Sequence, residues 1–185
     1  LNNAFGTSAA QSLTTGQKNV MVGYGAGFTT TDVDRGIFIG HEVASEGDIT
    51  SAADGTIAVG YWALRQLTSG IGNVAIGSGS LATEDTGDYN TAVGTLALSK
   101  LNNDGSTQNT AVGHHAGKAI TTGVTNTLVG ANSGVVITTG KWNSFFGRDS
   151  GYYATTASGS VGIGVNGGQG ISTGNMNIGI GYAAL

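Results

Sequence analysis

The chain is 185 residues long, with a net charge of −4, 34 glycines and neither cysteine nor proline. That composition excludes a disulfide scaffold and a collagen-like chain, and it lacks the basic stripe of a nucleic-acid binder. Only 10% of the residues are charged, too few for a charge-solvated disordered segment, and no run is long enough to span a membrane as a helix.

The glycines are periodic. In chain order, one closes a short apolar run at Gly6, Gly23, Gly40, Gly60, Gly77, Gly94, Gly113, Gly130, Gly147, Gly164 and Gly181. The intervals are 17, 17, 20, 17, 17, 19, 17, 17, 17 and 17 residues. A fixed period of this size is the signature of stacked structural units. The repeat is unbroken, so residues 1–185 are expected to form one solenoid domain. The chain opens at Leu1 and ends at Leu185 inside a repeat, without the polar caps a solenoid needs, as expected of a piece of a longer chain.

Two columns before the closing glycine define a strand. One residue before it stand Phe5, Val22, Ile39, Val59, Ile76, Val93, Val112, Val129, Phe146, Ile163 and Ile180, all strand formers. Two residues before it stand smaller side chains in most repeats, among them Ala92 and Ala111, with Leu128 and Phe145 as larger exceptions. Side chains alternate faces along a strand. Both faces are therefore apolar, and both should be covered. The large column is expected to fill the core of its own coil. The small column, represented by Ala92, Ala111, Leu128 and Phe145, is expected to lie against a partner chain. A second apolar run leads to Thr-Thr-Gly turns such as Thr121-Thr122-Gly123, so each coil reads as two short strands and two glycine turns. Four residues before the glycine, Asn recurs in eight of eleven repeats, a pattern suited to a hydrogen-bonded ladder.

Candidate chemistry is sparse. The first lengthened interval holds His41, Glu42 and Asp48, followed by Tyr61 and Trp62. The second holds Asn102, Asn103 and Asp104. Insertions in a solenoid form loops, often on the binding face. These eight residues are the expected contacts for a receptor or glycan. Between the two intervals lie the acids Glu84, Asp85 and Asp88, expected to be a solvated loop. His114 and His115 form an isolated pair with no metal-ligand spacing. Gly162-x-Gly164-x-x-Gly167 matches a dinucleotide fingerprint, but the match is a product of the repeat register, because Gly162 sits in the small column and Gly164 is the closing glycine. No catalytic residue, metal site or cofactor is expected, and an enzyme is not expected.

The stretches Asn90-Thr91-Ala92-Val93-Gly94-Thr95-Leu96-Ala97-Leu98 and Asn109-Thr110-Ala111-Val112-Gly113-His114-His115-Ala116-Gly117 resemble the shaft repeats of phage tail fibres. They are also similar to the repeats in the heads of trimeric autotransporter adhesins. The longer coil and the Thr-Thr-Gly turns lean toward the fibre group. The resemblance implies an all-β, left-handed parallel β-roll of eleven coils, assembled as a homotrimer. It also implies a location on a virion or cell surface, with a role in structure and attachment to a host glycan or protein. The alternative is an ice-binding or carbohydrate-binding solenoid, with the Thr-Thr-Gly column as the ice face.

Overall fold

Three residues of each repeat are extended, and these triplets stack as rungs in the computed structural model, which describes residues 1–185. The rungs are Asn3–Phe5, Val20–Val22, Ile37–Ile39, Ile57–Val59, Val74–Ile76, Thr91–Val93, Thr110–Val112, Thr127–Val129, Ser144–Phe146, Val161–Ile163 and Ile178–Ile180. They form one eleven-stranded parallel sheet in sequence order. The register is strict: Ala92 lies between Ala75 and Ala111, and Leu128 between Ala111 and Phe145. The chain is thus an all-β parallel β-solenoid of about ten turns. At a rung spacing of ~4.8 Å it makes a rod roughly 50 Å long.

The return leg differs from the expectation. It is not a second strand, apart from the short pairing of Gly87–Asp88 with Gly105–Ser106. The reason is backbone geometry. Residues two and four places after the closing glycine take a left-handed conformation, as in Trp62 (φ 58°), Leu64 (φ 48°), Leu96 (φ 57°) and Leu98 (φ 50°). Such a leg cannot run extended. It still bonds from rung to rung, because Thr121 N–H donates to Thr138 O at 2.9 Å and Thr138 N–H to Thr155 O at 2.8 Å.

Polar ladders set the register. The Asn126 backbone N–H and Nδ2 donate to Asn109 Oδ1 at 3.0 and 3.1 Å, and Asn126 Nδ2 also donates to Gly140 O at 2.9 Å. Asn143 repeats the pattern on Asn126 and Ala157. Each amide therefore ties its own rung to the previous one and spans its own coil, as a buried polar group must be satisfied. The threonine column is a second ladder. Thr14 Oγ1 donates to Thr31 O at 2.9 Å, and Thr68 Oγ1 to Asp85 O at 2.9 Å.

The expected facing of the strand is reversed. Ala92, Ala111, Leu128 and Phe145 are fully buried in their own chain's core. The large column points outward: Ile39, Ile76, Val112, Phe146 and Ile163 are 36–41% exposed. In six coils the inward residue is matched in size by the residue six places later. Met21, Leu128 and Phe145 are followed by Gly27, Gly134 and Gly151, while Ala58, Ala75 and Ala92 are followed by Leu64, Leu81 and Leu98. A Cβ on Gly151 would lie 2.4 Å from the Phe145 ring, and one on Gly134 2.9 Å from a Leu128 methyl. The two positions share one space within the coil, filled once.

This pairing predicts a coupled double substitution. Ala92→Leu should overpack its coil and lower stability by about 1–3 kcal/mol. Adding Leu98→Gly should recover part of that loss, although Leu98→Gly alone leaves a cavity and destabilises. Denaturant unfolding of the four variants measures the interaction. Additive losses would show that the positions do not share a space.

Candidate functional site

Aromatic side chains gather where the second to fourth closing glycines turn the chain. Tyr24, His41 and Tyr61 each follow such a glycine, so the repeat places them in one column. Tyr24 stacks on His41 with ring centroids 5.0 Å apart, and His41 meets Tyr61 at 5.5 Å. Trp62 stacks on Tyr61 at 4.4 Å, and the Arg65 guanidinium lies 4.1 Å from the centre of the Trp62 ring. Two acids join the rings. Glu42 Oε2 accepts a hydrogen bond from Trp62 Nε1 at 2.7 Å and lies 3.8 Å from His41 Nδ1. Glu46 pairs with Arg65. Beside Tyr24 is a hollow of about 210 Å³ lined by Ser8, Tyr24, Gly25, Phe28, Glu42, Ser45 and Glu46.

The structure divides the eight expected contact residues. His41, Glu42, Tyr61 and Trp62 come together in this cluster. Asp48 is exposed and does not line the hollow. Asn102, Asn103 and Asp104 lie on the Thr-Thr-Gly turn of a later coil. There Asn103 Nδ2 donates to Thr122 O at 3.2 Å, and Asp104 Oδ1 accepts from Thr86 Oγ1 at 2.7 Å. The extra residues of both long intervals sit at that turn: the 3-10 turn Ser51–Ala53 in the first, the Gly105–Ser106 bridge in the second. Sequence reasoning missed Phe28 and Glu46 as members of the cluster. Their signal was the period, since Glu46 and Phe28 fall on the leg that follows Glu42 and Tyr24.

Two other titratable groups stand out. His114 and His115 stack with centroids 3.6 Å apart. Partial burial, with His114 and Lys118 adding like charge, holds the His115 pKa below the usual histidine value. Nowhere do three His, Cys, Asp or Glu side chains converge closely enough to hold a metal ion. Glu84 belongs to the acidic group expected to be a solvated loop, yet its side chain is buried. It occupies the core column held by Leu67 and Leu101 in the adjacent coils. Its Oε1 accepts from Gly87 N–H at 2.6 Å, while Oε2 has no partner. Burial pushes its pKa up, with backbone donors at Gly87, Thr86 and Asn103 opposing the shift.

The sign of the Glu84 shift fixes a pH effect. Its folded pKa lies above the unfolded value of 4.5. The folded state then holds the proton more tightly. Glu84 therefore costs no ionisation penalty below about pH 4.5, and stability falls as pH rises from there through the folded pKa. Glu84→Gln should remove that fall. The stability gain from the substitution should be larger at pH 7 than at pH 4, as read by denaturant midpoints. A gain independent of pH would contradict a Glu84 whose pKa is raised by burial.

Comparison with protein-family models, with curated proteins and with solved structures gives no match.

Proposed function

We propose that the chain is a structural and attachment segment of a homotrimeric surface fibre, of the phage tail-fibre or adhesin kind, carried on a virion or cell surface. The observation that supports this reading is the outward apolar ribbon. Every rung contributes a Val, Ile or Phe to it from the residue before the closing glycine. Val20, Ile37, Ile57 and Val74 widen it over the early rungs. An apolar strip of this length is larger than the scattered exposed side chains of a monomer surface.

The repeat also indicates what covers the ribbon. A partner must offer apolar side chains at the rung spacing along the whole rod. A second copy of this chain does so by construction, and cyclic symmetry closes the assembly. Three chains is the number implied by the resemblance to fibre and adhesin repeats. In this reading the segment supplies stiffness and reach and makes or breaks no bond. Host glycans or proteins are its proposed partners. The ice-binding alternative is weakened by the threonine ladder. Thr14, Thr31, Thr68, Thr121, Thr138 and Thr155 each donate their hydroxyl to a carbonyl of the next coil.

Light scattering on the purified chain should give about three times the 18.3 kDa chain mass. Val112→Asp should dissociate the assembly while leaving the far-UV β signal in place. Leu128→Asp buries a charge in the core and should unfold the chain instead. A clean monomer at micromolar concentration overturns the proposal.

A further inference from the structure

The hollow beside Tyr24 has a chemistry of its own. The aromatic column ends there, because the next residue down the column is Thr7. One face of Tyr24 is taken by His41, and no ring covers the other. Phe28, 38% exposed, supplies a second apolar wall. The floor is open because Gly25 interrupts its column. A Cβ on Gly25 would meet nothing closer than the Glu42 Cγ at 3.6 Å, so any larger side chain there would enter the hollow.

The polar groups are mostly acceptors. Glu42 keeps Oε1 free of any hydrogen bond, and Glu46 presents a carboxylate. Ser45 Oγ donates to the Glu42 carbonyl at 2.9 Å, which leaves its lone pairs available. Both acids are already partly compensated, Glu42 by the Trp62 N–H and Glu46 by Arg65. They call for hydroxyl donors rather than for a full positive charge. An acidic ligand is repelled by the same two carboxylates. A ring with an apolar C–H face and several hydroxyl donors satisfies the walls and the floor together. We infer that this hollow is a binding site for a neutral pyranose unit of a saccharide, held between Tyr24 and Phe28 and hydrogen-bonded to Glu42, Glu46 and Ser45. Its size, below that of a drug-sized pocket, suits one sugar ring. The site is complete within one chain and does not depend on assembly.

Saturation-transfer NMR on the purified chain tests this with neutral cello-, malto- and galacto-oligosaccharides, alongside chitosan oligosaccharide, oligolysine and oligogalacturonate. At least one neutral oligosaccharide should bind with a Kd of about 1 mM or tighter. Gly25→Leu should fill the hollow and weaken binding at least about tenfold. The backbone tolerates it, because Leu96 holds the same repeat position at φ 57°. Tyr24→Ala should do the same without unfolding the rod, since Ala131 holds that position in another coil. Unchanged far-UV spectra confirm that both variants are folded. The inference is overturned if no neutral sugar binds, or if binding survives Gly25→Leu. It is also overturned if only oligolysine or chitosan binds, which marks a cation site, or if oligogalacturonate binds equally well.

Discussion

Every rung rests on the next through the closing glycine. At Gly113 the backbone has φ 138°, and a Cβ there would lie 2.5 Å from the Gly130 carbonyl oxygen. The same close approach recurs from Gly6 to Gly164. No L-residue adopts this conformation comfortably, and none fits the space. Only glycine lets the rungs close to hydrogen-bonding distance here, the spacing at which the asparagine and threonine ladders form. The chain also holds twenty-two non-glycine residues at positive φ, each costing roughly 1–2 kcal/mol. They are tolerated because the coils above and below hold the same turn and bond to it, as Leu96 N–H does to Ser78 O at 2.9 Å and Leu98 N–H to Ala116 O at 3.1 Å.

That stack determines where function is possible. The interior of the coil is filled by its inward side chains: the Ala92 column, the residue six places later and the Leu67 column. What the stack offers is surface, repeated at the rung spacing. The outward Val, Ile and Phe column gives a long apolar ribbon, suited to a partner with the same repeat. The residue after each closing glycine gives a second column, where Tyr24, His41 and Tyr61 stack. The recess beside Tyr24 forms where small residues, Gly25 and Thr7, interrupt their columns. Rod, ribbon and recess are three consequences of one period.

The fold was legible because glycine spacing reports the turn directly, and the asparagine ladder was legible because its column recurs. The facing of the strand was misread. Ala92 and Ala111 suggested close approach to a partner, whereas their smallness makes room for Leu98 and its neighbours inside the coil. The signal was present in the size exchange between Phe145 and Gly151 and between Ala92 and Leu98, six residues apart. The return leg was misread as a strand because its left-handed residues, Trp62 and Leu64 among them, are not types that announce that conformation. Of the expected contacts, His41, Glu42, Tyr61 and Trp62 were chosen for their place near a long interval. That interval's extra residues lie at a different turn, so it is the column period and not the insertion that brings these four side chains together. Glu84 was hidden because a carboxylate in a leucine column reads as a loop residue until its burial is seen.

The closing-glycine contact is tested most directly by comparing Gly113→Ala with Gly105→Ala. Gly105 also has positive φ, at 74°, but a Cβ there meets nothing within 4 Å. Thermal unfolding with amide hydrogen exchange is the measurement. Gly113→Ala should lower the midpoint far more than Gly105→Ala and should strip protection from the rungs Thr110–Val112 and Thr127–Val129. If the two variants unfold at the same temperature with protection intact, the contact does not set the stack.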